Sequence, residues 1–209
     1  MLDTPTQKSF DQRFTMVRNL KPEDIIPLEE QAQFTLMDAR RHSFFSFLKE
    51  NFFIREVAKY HETSSDFKKT TGFSTTELTC TCLETGQTIH FEYEHDDKLE
   101  VSVTLWQIKF RDLFDEEGLN IDEDDLDQIA EDKDVIIYKG EKYWYDDDWA
   151  ALYEATDRAE NVFVYEFENE NGNSTITIEE WQGEGRDEYR LYVSKPVDAL
   201  EFTLLSKGE

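Results

Sequence analysis

Apolar and polar residues alternate along most of the chain after residue 50. In the run LEVSVTLWQIKF, one face of a long strand would carry Leu99, Val101, Val103 and Leu105. The same period recurs in FSTTELTCTCLE, TIHFEYEHDD, NVFVYEFENE, STITIEEWQ and DEYRLYVS, with turn signals between the runs. Short strands at regular spacing favour antiparallel sheets. The sequence therefore predicts a mainly β protein, with antiparallel strands in two β lobes that form a barrel or a sandwich.

Two segments carry a helical pattern instead, so one or two short helices are expected. The segment MDARRHSFFSFLKENFF has helical spacing at Met37, Arg41, Phe44, Phe45 and Leu48. The overlapping run FFSFLKENFFI could also form a strand, but we favour a helix here. The segment IDEDDLDQIAED predicts a second helix, with Asp122 at its N-terminus, where a carboxylate is favourable.

These elements divide the chain into four parts. Residues 1–32 are predicted as an N-terminal extension and residues 33–111 as a first β lobe with a short helix. Residues 112–133 are predicted as an acidic helical connector, and residues 134–209 as a second β lobe. The two lobes are as consistent with one domain as with two. No repeat of the period typical of solenoids is visible.

Negative charge is concentrated in the second part of the chain. The net charge is −26, from 48 acidic and 22 basic residues. Residues 1–90 hold 13 acidic and 11 basic residues, whereas residues 91–209 hold 35 and 11, so the balances are −2 and −24. Such a field repels nucleic acid and anionic lipid and attracts a basic protein or a divalent cation. A merely solvated acidic surface is the simpler alternative.

The compartment is predicted from what the sequence lacks. No run of about 18 apolar residues is present, so no membrane-spanning helix is expected. The first residues, MLDTPTQKSF, have no apolar region typical of a signal peptide. The two cysteines, Cys80 and Cys82, lie on one face of a strand, which is poor geometry for a disulfide. Free thiols in a cytoplasmic protein are the expectation.

Candidate metal and cofactor sites are weak. The run DEEGLNIDEDDL lacks the spacing of a calcium-binding loop, and NENGNSTITIEE has Ser174 where that loop requires glycine. The possible transition-metal ligands Cys80, Cys82, His90 and His95 include a C-x-C pair rather than the spacing of a zinc knuckle. We expect buried cysteines in a sheet, no metal and no cofactor.

Catalytic motifs are also missing from the sequence. No nucleophile elbow, phosphate-binding loop or H-E-x-x-H motif is present. Glu179 and Glu180 would point to opposite faces of a strand, so they do not form an acid/base pair by themselves. A protein that is not an enzyme is therefore expected. An enzyme of unrecognised type would instead show a deep pocket with convergent titratable groups.

The acidic residues supply the candidate contact surface. The run YKGEKYWYDDDW has two interpretations, a pocket with tryptophan walls and a carboxylate floor or a hairpin with an acidic tip. We favour two strands about the Lys139–Gly140 turn, with Trp144 packed in the sheet. Together with the connector, this run predicts a partner contact formed by Asp115, Glu116, Glu117, Asp124, Asp125, Asp146, Asp147, Asp148 and Trp149.

Three stretches in order carry a family pattern: EYEHDDKLEVSVTLWQIKF, VIIYKGEKYWY and STITIEEWQGEGRDEYRLYVSKPVDALEFTLL. An acidic-ended strand precedes a dG-x-x-Y hairpin, and an L-s-I-E-x-W-g strand follows. In this pattern, and in the earlier hairpin YHETSSDFKKTTGFSTTELTCTC, the chain resembles a bacterial domain family of unknown function over roughly residues 50–205. The resemblance implies an all-β protein without assigned catalytic residues. Members are often encoded near phage-shock-type, ESCRT-III-like membrane-stress genes, which implies a partner-binding role.

Two functional hypotheses follow. The first is a cytoplasmic acidic β protein that acts by protein–protein contact, as an accessory of a membrane-stress or envelope system. Its partner would be a basic or envelope-stress protein, with no nucleic acid and no direct membrane insertion. The alternative is an acidic inhibitor, DNA mimic or immunity-type protein that binds a basic partner. The sequence leaves the oligomeric state open.

Overall fold

The computed structural model of the protein describes residues 36–95, 99–182 and 188–208. The predicted extension at residues 1–32 lies outside the described residues. Within them the chain is mainly antiparallel β with a single short α-helix, which confirms the predicted fold class. The elements are β1 (Phe44–Phe47), β2 (Glu50–Thr63), β3 (Thr70–Cys82), β4 (Thr88–His95), β5 (Leu99–Ile108), β6 (Leu113–Phe114), α1 (Leu126–Asp132), β7 (Val135–Tyr138), β8 (Glu141–Glu154), β9 (Ala159–Asn169), β10 (Thr175–Trp181), β11 (Glu188–Pro196) and β12 (Phe202–Ser206).

These strands form one continuous sheet that closes on itself. The strand order is β12-β1-β2-β3-β4-β5-β11-β10-β9-β8-β7-β6, and an additional pairing joins β2 to β8. The segments 59–63 and 150–154 form this seam, with Tyr60 opposite Tyr153. Eight strands, β2 to β5 and β8 to β11, therefore make a closed ring. It is a ring-like sheet rather than a regular barrel.

One edge of β2 is shared between two partners, and this sharing makes the closure possible. The first part of β2 pairs with β1 from Phe53 to Glu50, and its last part pairs with β8. A β-bulge between Ile54 and Glu56 separates the two parts. Because a bulge bends a strand and increases its twist, β1 can leave the ring while β8 approaches the same edge.

The two halves of the ring repeat the same pattern. In each half a 4-residue strand turns into a 14-residue strand, β1 into β2 and β7 into β8. Each long strand carries a bulge, between Ile54 and Glu56 in β2 and between Tyr145 and Asp147 in β8. The final strand of each half pairs with the first strand of the other, β6 with β7 and β12 with β1. This reciprocal pairing is that of an approximate two-fold arrangement.

The described residues form three hydrophobic cores. Two lie on the outside of the ring, one for each half, and a smaller third core lies inside it near the seam, with Ala58, Tyr60, Ala151, Tyr153, Val162, Val164 and Trp181. The first is formed where β1 and β12 pack over β2 to β5, and it contains Leu36, Phe45, Phe47, Phe52, Ile54, Leu78, Cys80, Cys82, Phe91, Val101, Val103, Phe202 and Leu204. The second is formed where α1 and β6 to β8 pack over β9 to β11. It contains Ile108, Leu113, Ile121, Leu126, Ile136, Tyr138, Tyr143, Tyr165, Phe167, Ile176, Ile178, Leu191 and Val193.

The helix predicted over the segment beginning at Met37 is wrong. This segment has one short 3-10 turn, Leu36–Asp38, and then forms the β1–β2 hairpin. Leu48 and Lys49 make the turn, with φ of 49° and 71°. Phe44 and Phe45 matched a helical spacing, but both are buried in the strand β1 that pairs with β12, Phe45 in the first core and Phe44 against Phe53. Tertiary packing therefore overrides the local pattern.

The second predicted helix is confirmed. A 3-10 turn at Glu123–Asp125 leads into α1, and the side chain of Asp122 accepts a hydrogen bond from the backbone N–H of Asp124. Asp125 in turn accepts one from the Asp122 backbone. Part of the acidic run therefore serves to cap a helix.

The first core generates a stability prediction. Phe91 is fully buried, and its ring lies within 5.5 Å of the ring centroids of Phe45, Phe47, Phe52 and Phe202. We expect Phe91→Ala to lower the free energy of unfolding by about 3–5 kcal/mol, because it removes contacts on every side and leaves a cavity. Chemical denaturation measures this loss.

Phe73→Ala is the matched control for that experiment. Phe73 lies on the neighbouring strand β3, but 54% of its surface is exposed. Its replacement should change the free energy of unfolding by less than about 0.5 kcal/mol. Equal losses in the two variants would contradict the location of the first core.

Candidate functional site

The inside of the ring, unlike its outside, carries buried polar groups next to the small third core. We call the inward-facing side chains of β2 to β5 and β8 to β11 the lumen. Tyr60 on β2 donates a hydrogen bond to Glu179 on β10, and Tyr153 on β8 donates one to Glu77 on β3. Neither pair lies on adjacent strands, so these bonds cross the inside of the ring. The lumen therefore holds carboxylates beside the small third core, while the two larger cores lie outside it.

Glu179 is held by two donors. Its side chain accepts a hydrogen bond from the Tyr60 hydroxyl at 2.6 Å and one from the Trp181 Nε1–H at 2.9 Å. The residue is only 4% exposed. Its neighbour Glu180 lies on the other face of β10 and accepts from Gln182, as the alternation predicts. Burial with two donors makes Glu179 a fixed part of the lumen.

Glu77 is the second buried carboxylate of the lumen. It lies 3.1 Å from His90 Nδ1, and it accepts hydrogen bonds from the Tyr153 hydroxyl at 3.1 Å and the Thr79 hydroxyl at 3.4 Å. A hydrogen bond from Nδ1–H to Glu77 fixes the orientation of the imidazole. The pair has the form of an oriented histidine, as used for binding or proton transfer.

Aromatic rings and arginines complete the lumen near the seam. The Tyr153 ring makes edge contacts with Tyr60 at 4.8 Å and with Trp181 at 4.9 Å. The guanidinium of Arg190 lies 4.3 Å from the centroid of the Trp181 ring, and that of Arg158 lies 4.9 Å from Tyr153. These are cation–π distances. The lumen thus already accommodates the guanidinium of Arg190 on an aromatic ring, whereas Arg158 reaches Tyr153 from the exposed turn after β8.

Three lumen carboxyls have a pKa above that of an ordinary glutamate. Burial, followed by the charge of Glu77, raises the pKa of Glu179 to about 7, although Tyr60 and Trp181 partly oppose this. Burial, with repulsion from Asp146 and Asp147, raises the pKa of Glu166 to about 7. Burial and the neighbouring carboxylates raise the pKa of Glu92 well above its ordinary value. Like charges in a confined space cannot all ionise at neutral pH.

Glu77 and His90 behave as an ion pair within this cluster. Burial opposes the ionised form of Glu77, but the hydrogen bonds from His90 and Tyr153 and the charge of His90 outweigh it and lower the pKa. Burial also opposes the charged form of His90, yet the hydrogen bond and charge of Glu77 leave its pKa raised. Glu77 is therefore the carboxylate of the cluster that stays ionised.

A gap in the ring wall lies next to His90. β4 and β5 pair from Phe91–Val103 to His95–Leu99, and beyond this point the two strands diverge. Residues 88–90 and 104–107 form the sides of the gap, which we call the notch. A cavity of about 240 Å³ occupies it and is lined by His90, Thr104, Trp106, Gln107 and Tyr192, among others. Its lining includes both the exposed Trp106 and His90, which faces the lumen, so the notch lies between the outer surface and the lumen.

The predicted contact residues of the connector lie on the second half of the ring. Glu116, Glu117, Asp124 and Asp125 are exposed, whereas Asp115 is half-buried. Asp115 accepts hydrogen bonds from the backbone of Glu117 and Leu119, so it holds its own loop together. Glu116 is paired with Lys142. We call residues 115–132, with residues 146–148, the acidic surface.

The predicted acidic tip at residues 146–148 is not a turn. These residues lie within β8 at its bulge, and they are exposed. The strand break predicted here is absent because β8 continues to Glu154 to form the seam. Asp148 accepts a hydrogen bond from the Tyr145 hydroxyl at 2.6 Å. The turn about Lys139 and Gly140 is confirmed, with φ of 52° and 81°.

The two tryptophans of this strand differ from the expectation. Trp144 was expected to pack in the sheet, but 40% of its surface is exposed, and the buried residue is its neighbour Tyr143. Trp149 faces the lumen, where its ring lies 6.0 Å from Tyr60 and its side chain hydrogen-bonds to Glu166. The bulge after Tyr145 shifts the alternation between these two positions. Trp149 belongs to the lumen and not to the acidic surface.

The cysteines are free and buried in the first core, on the face opposite His90. Burial raises the pKa of the Cys80 thiol well above its ordinary value. In residues 36–95, 99–182 and 188–208, no group of three or more His, Cys, Asp or Glu side chains is placed to hold a metal ion. No helix in the same residues is long and apolar enough to span a membrane.

The lumen residues were missed by the sequence analysis. Their signal is present in β3, where Thr75, Glu77 and Thr79 alternate with Leu78 and Cys80. Such alternation is normally read as a sheet with one solvated face. Only the closure through β2 and β8 turns that face inward, and this pairing joins residues that are far apart in sequence. The alternation identifies a polar face but not whether the face is enclosed.

The chain was compared with known proteins. A family model described as Domain of unknown function (DUF4178) matches residues 42–199, which is 158 of the 209 residues. The match confirms the predicted resemblance to an uncharacterised domain family. No curated protein and no solved structure matches the chain.

The lumen generates a prediction for the pH dependence of stability. The folded state raises the pKa of Glu179 and Glu166 from 4.5 to about 7. Their contribution to stability is therefore complete below pH 4.5 and is lost as the pH rises through about 7. His90, also raised, adds to this loss, while Glu77 acts in the opposite direction at acidic pH. We expect the free energy of unfolding to fall between about pH 5 and pH 8.

Glu179→Gln tests the assignment. Glutamine keeps an acceptor for Tyr60 but cannot ionise, so the fall between pH 5 and pH 8 should shrink by on the order of 3 kcal/mol. Glu170→Gln, which removes an exposed carboxyl, should leave the dependence unchanged. Denaturant unfolding at a series of pH values measures both. A stability that rises across this range would refute the assignment.

Proposed function

We propose that this chain, which belongs to the DUF4178 family, acts by binding a basic protein partner rather than by catalysis. The observation that carries the proposal is the segregation of charge. The balance is −24 over residues 91–209 and −2 over residues 1–90. Exposed carboxylates attract a positively charged partner, which speeds its association and fixes the orientation in which it binds. The acidic surface is the proposed contact.

The structure of this surface supports binding without large rearrangement. Asp115, Asp122 and Asp125 cap their own loop and helix, so the backbone that carries the other carboxylates is held in place. Glu117 and Asp124 are exposed on this fixed backbone. A preorganised surface loses less conformational entropy on binding than a mobile acidic tail does.

A cytoplasmic role in a membrane-stress or envelope system is the biological setting that we propose. It rests on the resemblance of the strand pattern to a family whose members are often encoded near phage-shock-type genes. The described residues contain no helix that could span a membrane, and a surface this acidic is repelled by anionic lipid. Contact with the membrane would therefore pass through the basic partner.

An inhibitor or DNA mimic is the second candidate, and the same charge excess favours it. A mimic must occupy a groove built for phosphates, so nearly all of its binding free energy would depend on charge. It predicts an affinity that falls steeply with salt concentration. An accessory protein that also buries apolar groups predicts a weaker dependence.

Capture of the partner tests the proposal. The tagged protein is expressed in its native host, crosslinked, purified and analysed by mass spectrometry. We expect recovery of a basic protein with the wild type. Recovery should fall at least about tenfold with the variant Glu117→Gln, Asp124→Asn, Asp146→Asn, which neutralises exposed carboxylates of the acidic surface.

The control variant is Asp38→Asn, Glu50→Gln, Glu201→Gln. It removes the same number of charges from exposed positions outside the acidic surface. The control variant should retain the partner. Purification at two salt concentrations distinguishes an accessory protein from a DNA mimic, because binding by the mimic would depend more steeply on salt. No specific partner after crosslinking, or equal loss with both variants, would rule the proposal out.

A further inference from the structure

The notch carries an inference that deepens the proposed function and rests on it. Its sides come from strands that diverge, so the ring wall is open at this place. The described residues put three hydroxyl groups, an amide and an imidazole around the cavity, from Thr88, Thr104, Tyr192, Gln107 and His90. Leu105 and Trp106 form its apolar rim and are 37% and 44% exposed. An apolar rim around convergent polar groups is typical of a binding pocket.

The charged groups around the notch bear on the charge of the ligand that it would bind. Tyr192 lines the cavity, and burial raises its pKa, followed by the charge of Glu179. Glu77 and Glu92 contribute in the same direction, although Arg190 opposes them. Glu92 is also the next residue after His90 on the lumen face of β4. The notch therefore faces the lumen carboxyls Glu77, Glu92 and Glu179 together with the cationic groups His90 and Arg190, and a cation bound there would favour the ionised forms of these carboxyls.

The protein's own side chains show which cations these surroundings accept. Lys139 lies 4.8 Å from the centroid of the Trp106 ring and 4.9 Å from that of Tyr138. Inside the ring Arg190 lies over Trp181, and Arg158 reaches the same ring from the exposed turn between β8 and β9. A guanidinium is planar and weakly hydrated, so it suits a narrow space between aromatic and polar groups better than an ammonium does.

The size of the cavity fits a single side chain. An engineered cavity of about 150 Å³ holds benzene, and the notch provides about 240 Å³. The acidic surface adjoins it through the β7–β8 turn. In that turn Lys139 contacts Trp106, and nearby Lys142 pairs with Glu116. A partner bound to the acidic surface can therefore reach the notch.

We propose that the notch is the anchor site for an arginine side chain of the basic partner, with Trp106 and Tyr192 as its aromatic walls. The guanidinium would enter between residues 88–90 and 104–107 and approach the carboxyl of Glu92. Burial, followed by the charges of Glu77, Glu179 and Glu166, raises the pKa of Glu92, and a guanidinium beside it would oppose the contribution of these charges. The partner thus supplies a cation to an acidic lumen.

Binding of a defined probe tests this site. The probe is a fluorescein-labelled glycine–serine peptide with spaced arginines, compared with the same peptide carrying citrulline, which has the shape of arginine without its charge. Fluorescence polarisation should show the arginine peptide binding at least about tenfold more tightly. Trp106→Ala should reduce that affinity about tenfold. Trp144→Ala is the matched control, since Trp144 is 40% exposed and lies outside the notch, and it should change affinity less than about twofold.

A gain-of-affinity variant makes the test independent of folding defects. Lys139→Asn removes the ammonium that occupies the Trp106 ring, and asparagine tolerates the left-handed backbone at this position. It should strengthen binding of the arginine peptide severalfold. Lys142→Gln makes the same change in net charge in the same hairpin and should have a smaller effect. Equal gains in the two variants, or equal losses with Trp106→Ala and Trp144→Ala, would overturn the proposal.

Failure here is distinguishable from failure of the proposed function. If capture of the partner depends on the acidic surface but is unaffected by Trp106→Ala, only the proposal of an arginine site in the notch is refuted. Absence of any captured partner would refute the proposed function, while the peptide measurements would still decide whether the notch binds arginine.

Discussion

The ring depends on hydrogen bonds that two tyrosines of its seam donate across the lumen. Tyr60 and Tyr153 face each other on β2 and β8, and they reach Glu179 and Glu77 on strands that do not adjoin them. A buried carboxylate without hydrogen-bond donors destabilises the fold. The tyrosine hydroxyls therefore stabilise the two carboxylates, and the same hydrogen bonds hold the seam closed. Opening the seam would separate both pairs at once. The closure and the polar lumen are therefore two aspects of one constraint.

The location of the two larger hydrophobic cores allows the lumen to carry polar groups. Each half of the ring packs its outer, apolar face against further elements. These are β1 and β12 in one half and β6, β7 and α1 in the other. The inside of the ring is then free to carry polar groups. Because β6 and β12 are each contributed by one half and paired in the other, the two cores cannot separate without breaking strand pairs. The fold gains cohesion from this exchange as well as from the small third core at the seam.

The strands could be predicted because the alternation of apolar and polar residues is a local property of the sequence. The lumen could not be predicted, because it depends on the pairing of β2 with β8, which are far apart in sequence. Runs such as NVFVYEFENE and STITIEEWQ became β9 and β10, and the Lys139–Gly140 turn lies where the sequence placed it. The helix predicted near Met37 failed because three phenylalanines pack against a strand more than 150 residues away. Glu77 and Glu179 looked like solvated residues, since nothing near them in the sequence reveals Tyr153 or Tyr60. The charge segregation, by contrast, was readable from composition alone.

The notch follows from the same geometry that makes the lumen polar. β5 belongs to the first half of the ring, yet beyond Val103 it leaves β4 and pairs with β11 of the second half. The strand has to diverge from one neighbour in order to follow the other, and the wall opens where it does so. His90 remains at that opening because Glu77 holds its ring, and Tyr192 reaches it from β11. The place where the two halves join is thus also where the acidic interior meets the surface, so a group bound there would contact both halves of the ring.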